Sequence, residues 1–193
     1  MYNFNPIPGR TGRGTAKWNA MRAECPEVSD DIVPFSIADM ELWNAPEITA
    51  AIRDYLETQP LCYPRPTESY YASVCSWMKR RHAWNVQPEW IVQFGGVVPA
   101  LFALVELLTD LSDGVILLTP CYPPFYEAVN GRRLVTVPLK EKDRSYVIDY
   151  DALEAAAKDP DNKLIILSNP HNPVGRAWSG DELEKISEIC LRN

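Results

Sequence analysis

From residue 46 onward, short apolar runs alternate with segments of helical periodicity, and this alternation constrains the fold more than any other feature. A strand that is apolar on both sides is buried on both faces of its sheet, and a parallel neighbour requires a crossover that is usually a helix. The pattern therefore predicts an α/β fold in which helices cover both faces of a largely parallel sheet. The predicted strands are residues 91–94, 115–118, 134–137 and 164–167.

The helices expected between these strands carry local signals of their own. Pro46 stands at a plausible first helical position, Thr67 is a candidate cap, and Ser179 with Glu182 has the spacing of a capping box. The segment from Val98 to Leu108 is almost wholly apolar, so it is expected to be buried. Residues 1–45 contain scattered Pro and Gly with little periodicity and are predicted to form an irregular arm. The predicted helices are 46–58, 67–81, 98–108, 124–130, 150–157 and 179 to about 191.

Composition excludes several classes of function. The net charge of −7 at pH 7 argues against a protein that binds nucleic acid or an anionic membrane. No apolar run approaches the ~20 residues of a membrane span, and the first ten residues lack the apolar core of a signal peptide. An odd set of five cysteines without a C-x-x-C pair favours a reduced, cytoplasmic chain. The glycine-rich stretch from Gly9 to Thr15 lacks G-K-[ST] and follows no predicted strand, so it is not interpreted as a nucleotide loop.

The sequence GGVVPAL, Gly95 to Leu101, lies between the strand predicted at 91–94 and a helix. Glycines allow the backbone to approach a ligand closely, and the first N–H groups of a helix bind anions. A phosphate would fit there without a basic side chain. A purely structural turn between strand and helix is the alternative, and this segment alone does not exclude it.

Two further loops follow predicted strands. In TPCYPPF (119–125), three prolines hold Tyr122 on a stiff loop, where its ring could stack on a planar ligand or simply pack beneath the loop. In SNPHNPVGR (168–176), Asn172 presents an amide donor, or alternatively forms a local turn. His171 could be a base, although a lone histidine more often has a hydrogen-bonded structural role. A phosphate cradle, an aromatic ring and an amide at one sheet edge suggest a flat, phosphorylated heteroaromatic ligand, and pyridoxal 5′-phosphate has those parts.

On these motifs the chain resembles the N-terminal half of a fold-type I pyridoxal-phosphate enzyme of the class I/II aminotransferase superfamily. Within that superfamily it is most similar to the cystathionine β-lyase (C–S lyase) branch, the MalY/PatB group. The resemblance runs nearly from end to end. The segments that carry it are RGTAKW (13–18), IADM (37–40), CYPRPTESYYASVCSWMKRRHAW (62–84), EWIVQFGGVVPAL (89–101), DGVILLTPCYPPFYEAV (113–129), GRRLV (131–135) and LIILSNPHNPVGRAWSGDELEKISEICLRN (164–193).

The resemblance implies a three-layer α/β/α cofactor domain and a role for each matching residue. It divides the chain into an arm at 1–45, part of a small domain, and the first half of the large domain at 46–193. Tyr63 would reach the phosphate of the neighbouring subunit's cofactor, which implies a homodimer. Ala38 and Asp39 would lie over an amino-acid substrate, which Asn172 would also contact. The cofactor-binding residues implied are Gly96, Val97 and Val98 for the phosphate, Tyr122 for the ring face, Asn172 for the phenolic oxygen, and Tyr63.

Two local departures from the family pattern are Cys62 before Tyr63, where Gly is usual, and Glu41-Leu42 in place of Asp-Phe. A larger one is that the family's Schiff-base Lys, the Asp that pairs with the pyridine nitrogen and the carboxylate-binding Arg have no counterpart among these residues. No catalytic residue and no metal ligand is therefore assigned, and the 193 residues alone are expected to be inactive. The resemblance implies a C–S β-lyase. An aminotransferase and a non-catalytic binding module stay open as alternatives.

Overall fold

The computed structural model describes residues 2–5, 10, 14–29 and 31–193, and the chain divides into two compact units, residues 1–70 and 71–193. Most of the stretch from Gly9 to Thr15 and the first residue of the 13–18 motif lie outside the described residues. The helices are α1 (Ala16–Glu24), α2 (Pro46–Thr58), α3 (Glu68–His82), α4 (Val97–Leu108), α5 (Pro123–Ala128), α6 (Tyr150–Ala157) and α7 (Gly180–Arg192); the strands are β1 (Gly114–Thr119), β2 (Arg133–Pro138), β3 (Lys140–Lys142), β4 (Ser145–Val147) and β5 (Asn162–Ile166).

The regular elements described in the first unit are helices joined by long irregular segments. It contains α1, α2 and the beginning of α3, whose first turn is capped by the Thr67 hydroxyl accepting the Tyr70 N–H at 3.3 Å, as predicted. The irregular arm predicted at 1–45 includes one helix that was not expected, α1. Only Lys17 and Trp18 of α1 are buried, so the helix has no apolar stripe by which its periodicity could be detected.

A three-stranded parallel sheet forms the centre of the second unit. Its strand order is β2-β1-β5, so the apolar run predicted at 115–118 is the central strand. On one face Ile116 and Leu118 belong to a core cluster with residues of α6 and α7. On the other face Val115 and Leu117 belong to a cluster with residues of α4 and α5. The sheet is thus covered on both faces, and the three-layer α/β/α architecture is confirmed.

The strand predicted at 91–94 is not formed. Ile91 has the extended backbone of a strand (φ −91°, ψ 111°). Residues 91–94 nevertheless make no ladder with any strand that the structure describes. An extended segment becomes a strand only through a neighbour's N–H and C=O groups, so local sequence alone could not decide this point.

Helix α4 is less buried than its composition predicted. Only Val105 is fully buried, whereas Leu107 is 79 % exposed and Leu108 is 55 % exposed. One side of α4 packs on the sheet, and its other sides are left uncovered by the residues that the structure describes. The expected burial of the whole helix was therefore wrong.

Two three-residue strands, β3 and β4, form a hairpin that the sequence did not signal. Its turn is made by Asp143 and Arg144, both with positive φ (51° and 59°), the geometry for which Asn-Gly is the usual sequence. Strand β3 is wholly charged, and three residues are too few to show the apolar alternation by which a strand is recognised. No helix among the described residues is long and apolar enough to cross a membrane.

The direction of α4 follows from the polar contacts at its end. Asn130, just beyond α5, donates to the Glu106 carboxylate at 3.0 Å, and the Arg132 guanidinium donates to the Thr109 side chain and carbonyl at 3.2 and 3.3 Å. The carboxyl ends of α4 and α5 therefore lie together. Because α5 begins directly after the loop that follows β1, we infer that α4 also begins near the sheet edge at which β1 and β5 end.

Candidate functional site

The carboxyl edge of the sheet carries two of the loops that the sequence singled out. Strand β1 ends at Thr119, three residues before Tyr122, and its parallel neighbour β5 ends at Ile166, six residues before Asn172. Parallel strands end at the same edge, which is where α/β sheets place their ligands. The structure therefore brings the two loops to one side of the second unit.

The N-terminus of α4 is open to a ligand. Gly96 precedes the helix with φ +152°, and no side chain caps it. Ala100 donates to the Gly96 carbonyl at 3.2 Å, while the N–H groups of Val97 and Val98 have no acceptor among the described residues. Pro99 has no N–H, and no acidic residue occupies the first turn. The set of free donors suits an anion.

Other helices in the same unit show that this open end is not general. Asp149 caps α6 by accepting the Ala152 N–H at 3.2 Å. Ser179 and Glu182 form the predicted capping box on α7, with distances of 2.9 and 3.3 Å. Helix α5 also has no side-chain cap, but its first two residues, Pro123 and Pro124, have no N–H groups. The N-terminus of α4 thus differs in combining free N–H groups with the absence of a side-chain oxygen that would compete with an anion for them.

Tyr122 immediately precedes α5 and is 37 % exposed. Its ring makes an edge contact with the buried Phe125, with centroids 5.8 Å apart and planes at 86°. This contact holds the tyrosine ring at the sheet edge while leaving part of it accessible to a ligand.

Neighbouring Cys121 and Tyr126 do not supply an ionised nucleophile. Burial raises the pKa of the Cys121 thiol, and burial together with the hydrogen bond to Cys121 raises the pKa of the Tyr126 hydroxyl. Both groups therefore stay protonated at neutral pH.

The two asparagines of SNPHNPVGR have different roles. Asn169 accepts the backbone N–H of Trp178 at 2.9 Å, so its side chain is part of the loop structure. Asn172 is exposed, and its amide has no partner among the described residues. Asn172 is thus the asparagine of this loop whose amide is free for a ligand, and its binding role stays a prediction.

His171 is the most deeply buried polar side chain of this loop, with 2 % exposure. Its Nε2 lies 3.0 Å from the Pro120 carbonyl, which belongs to the loop of Tyr122. A ring buried in this way does not act as an accessible base. The structural interpretation of this histidine is therefore the correct one.

In the first unit, Tyr63 is fully exposed, as its predicted role toward a second subunit would require. Ala38 and Asp39 are also exposed and help to line a cavity of about 830 Å³ formed by residues 31–35, 37–42 and Lys17. The structure provides positions for these three residues but leaves their roles as predictions.

A polar cluster that sequence reasoning missed holds the segment around Asp39. The Lys17 ammonium, 3 % exposed, donates to the Asp39 carbonyl and pairs with the Glu41 carboxylate, both at 2.6 Å. The Trp18 indole N–H also donates to Glu41, at 3.1 Å, and the Arg10 guanidinium pairs with the Asp39 carboxylate at 3.0 Å. The hydrogen bond from Lys17 holds the pKa of Glu41 below its ordinary value of 4.5. These contacts span more than 20 residues, and no local pattern reveals them.

Replacing Lys17 by methionine should destabilise the full-length protein by roughly 2–3 kcal/mol, because Glu41 would lose its buried partner. The free energy of urea unfolding measures this, with exposed Lys142→Met as the matched control. The contribution of Glu41 in the wild type is present above the ordinary carboxyl pKa and is lost as the pH falls through the lower, folded-state pKa. The difference between wild type and Lys17→Met should shrink as the pH falls below about 4. A difference that is independent of pH would contradict the ion pair.

Comparison with known proteins identifies the family. The model of aminotransferases of class I and II matches residues 31–193. The chain belongs to the class I and II aminotransferase family. A cystathionine β-lyase of Bacillus subtilis, PatB, is 41 % identical to it over 194 residues, which cover 99 % of the chain and 49 % of the relative. The MalY protein of Escherichia coli is 28 % identical over 196 residues, covering 100 % of the chain and 50 % of the relative.

Solved structures of this aminotransferase family agree with the fold. Cystalysin from Treponema denticola, whose crystal structure contains pyridoxal 5′-phosphate, matches with a TM-score of 0.94 and 44 % identity. A pyridoxal-phosphate-bound C–S lyase from Staphylococcus hominis matches with a TM-score of 0.87 and 30 % identity. Both matches cover the whole of this chain and 50 % and 49 % of the solved chains. The chain therefore spans about half the length of the relatives it matches.

Proposed function

We propose that this chain forms the phosphate-binding and ring-binding part of a pyridoxal-phosphate-dependent C–S β-lyase. The whole protein would cleave L-cysteine conjugates such as cystathionine to pyruvate, ammonia and a thiol. The observation that carries the proposal is the uncapped N-terminus of α4, with Gly96 at positive φ. The inferred direction of α4 brings this N-terminus to the sheet edge that carries Tyr122 and Asn172. Support also comes from similarity to cystathionine β-lyases.

The donors at this edge fit a phosphorylated pyridine. The free N–H groups around Gly96, Val97 and Val98 would bind the phosphate, since no acidic side chain in the first turn repels it. The Tyr122 ring would contact a face of the pyridine, and the Asn172 amide would donate to its phenolic oxygen or to the substrate. Tyr63 would serve the phosphate of a neighbouring subunit in a homodimer, and Ala38 and Asp39 would contact the amino-acid substrate.

When bound, pyridoxal phosphate withdraws electrons from the Cα atom of an amino acid and so makes the Cα proton acidic. This chain's residues orient and hold the reactants: the open helix end fixes the phosphate, the tyrosine fixes the ring plane, and the asparagine fixes the ring's oxygen edge. Proline-stiffened loops reduce the freedom of these groups before a ligand arrives, which favours binding. The group that moves the proton is not assigned to these residues.

Product analysis with the full-length protein tests the function. With L-cystathionine and pyridoxal phosphate, we expect pyruvate and thiol in equal amounts, formed without any added 2-oxo acid as amino-group acceptor. An aminotransferase, the alternative that the family favours, would instead need a 2-oxo acid and would leave the C–S bond intact. Binding of the cofactor without either product would contradict both activities, and no binding at all would support a non-catalytic module.

Replacing Tyr122 by alanine should weaken retention of pyridoxal phosphate in the full-length protein. Loss of the aromatic contact should cost ~0.5–1.5 kcal/mol beyond the lost area, or roughly two- to tenfold in the dissociation constant. Tyr122→Phe is the matched control, because it keeps the ring. Equal affinities of the alanine and phenylalanine variants would remove Tyr122 from the site.

A further inference from the structure

We propose that His171 is a positioning residue of the cofactor site. It fastens the loop that carries Asn172 to the loop that carries Tyr122 and thereby fixes the spacing between the amide and the aromatic ring. This inference rests on the proposed function, because it concerns the two residues to which that function assigns the ring contacts.

The two loops need a connection of their own. The hydrogen bonds of the sheet end at Thr119 and Ile166, so Tyr122 and Asn172 extend three and six residues beyond the last strand residues. Among the hydrogen bonds that the structure describes, the one that joins these loops runs from the His171 ring to the Pro120 carbonyl, at 3.0 Å. It joins the residue directly before Asn172 to the residue two before Tyr122.

The protonation of the ring follows from its partner. A carbonyl oxygen only accepts, so Nε2 carries the hydrogen and donates to Pro120. Nδ1 is buried without a partner among the described residues. A leucine or phenylalanine would fill this space without leaving a polar atom unpaired, so packing alone does not account for a histidine here. The hydrogen bond to Pro120 does.

The histidine is itself held firmly from the opposite side. Its backbone N–H donates to the Arg176 carbonyl at 2.6 Å, and its carbonyl accepts from Gly175 at 2.8 Å, which closes a tight turn. Its ring makes an edge contact with the buried Trp178, with centroids 5.4 Å apart and planes at 76°. A hydrogen bond can fix the spacing of two loops only if the residue that makes it is itself held rigidly. These contacts hold His171 rigidly.

The anchor continues into α7. The Trp178 indole N–H donates to the Ser168 carbonyl at 3.2 Å, and the Arg176 guanidinium lies 4.6 Å from the centre of the tryptophan ring. Arg176 also bonds both carboxylate oxygens of Glu182, at 2.8 and 3.1 Å, and Glu182 belongs to the capping box of α7. The position of Asn172 is thus coupled through His171 to a capped helix on one side and to the Tyr122 loop on the other.

Three variants of the full-length protein test the proposal. His171→Leu removes the donor at similar size, His171→Gln keeps an N–H donor at a similar reach, and Leu153→Ala truncates a fully buried core residue of α6. Hydrogen–deuterium exchange of peptides covering residues 119–130 and 168–178 is measured on the cofactor-free proteins. The dissociation constant for pyridoxal phosphate and the thermal midpoint are measured for the same variants.

In His171→Leu we expect both peptides to exchange about tenfold faster and the cofactor to bind roughly five- to tenfold more weakly. His171→Gln should restore most of the wild-type exchange rate and most of the wild-type affinity for the cofactor. Leu153→Ala should lower the thermal midpoint and leave cofactor affinity unchanged. Unchanged exchange at 119–130 in His171→Leu would overturn the proposed connection. Faster exchange with unchanged cofactor affinity would show that the connection is purely structural.

The hydrogen–deuterium exchange measurement distinguishes a failure of this proposal from a failure of the proposed function. If the wild-type protein binds no pyridoxal phosphate, the proposed function fails, and with it the role of His171 toward the cofactor. Exchange in the cofactor-free variants still shows whether His171 joins the two loops. If the wild-type protein binds the cofactor and His171→Leu binds it equally well, only the role of His171 fails.

Discussion

Replacing Gly96 by valine should weaken binding of pyridoxal phosphate to the full-length protein by roughly 10- to 100-fold. The backbone of Gly96 has φ +152°, which a β-branched residue adopts only with strain of ~1–3 kcal/mol. The turn can relax only by moving the N–H groups of Val97 and Val98 away from the positions in which they now point. A titration of the cofactor-free protein, followed by absorbance, measures the change.

Gly95 supplies the matched control for this prediction. It lies next to Gly96, has no positive φ, and a Cβ added to it would meet nothing within 4 Å. Gly95→Ala should therefore bind the cofactor almost as well as the wild type. Equal affinity in the Gly96 and Gly95 variants would show that the N-terminus of α4 does not hold the phosphate.

The 193-residue chain expressed alone should self-associate at micromolar concentration. Leu104, Leu107 and Leu108 of α4 are 44, 79 and 55 % exposed. Among the described residues, the extended segment 91–94 has no strand beside it. The outer edges of β2 and β5 also have no strand beside them among these residues. Exposed apolar patches and unpaired strand edges promote association. Sedimentation velocity and thermal unfolding measure it.

Leu107→Lys should weaken this self-association by at least about tenfold, because burying one leucine contributes ~1.5–3 kcal/mol. Leu191→Lys is the control, since Leu191 is 85 % exposed on α7, away from the surface of α4. A monomer that unfolds in one cooperative transition would show that the chain needs no cover over α4. The proposal that it is part of a larger cofactor domain would then require revision.

Sequence patterns predicted the elements whose signals are local. The apolar runs at 115–118, 134–137 and 164–167 became β1, β2 and β5. The central strand β1 is buried along almost its whole length, whereas the edge strand β2 is mostly exposed. The capping box at Ser179 fixed the start of α7. The strand predicted at 91–94 was not formed, because a strand needs hydrogen bonds to a neighbouring strand that local sequence does not reveal. The burial of α4 was wrong because composition does not reveal how many sides of a helix are covered.

The candidate site also contains residues that local sequence predicts and contacts that only the fold reveals. Gly96, Tyr122 and Asn172 follow apolar segments in loops rich in Gly or Pro, so their positions could be predicted from neighbouring residues. The contact between Lys17 and Glu41 could not, because it joins a helix without an apolar stripe to a loop 24 residues later. His171 is an intermediate case. Its burial was a reasonable expectation, whereas its partner Pro120, 51 residues earlier, could only come from the fold.

A crystal structure of the full-length protein with pyridoxal phosphate tests the central claim most directly. We expect the phosphate at the N-terminus of α4, accepting hydrogen bonds from the backbone around Gly96, Val97 and Val98. The ring should contact Tyr122, and its phenolic oxygen should accept a hydrogen bond from Asn172. A cofactor bound away from this edge, or a phosphate held only by basic side chains remote from α4, would contradict the account.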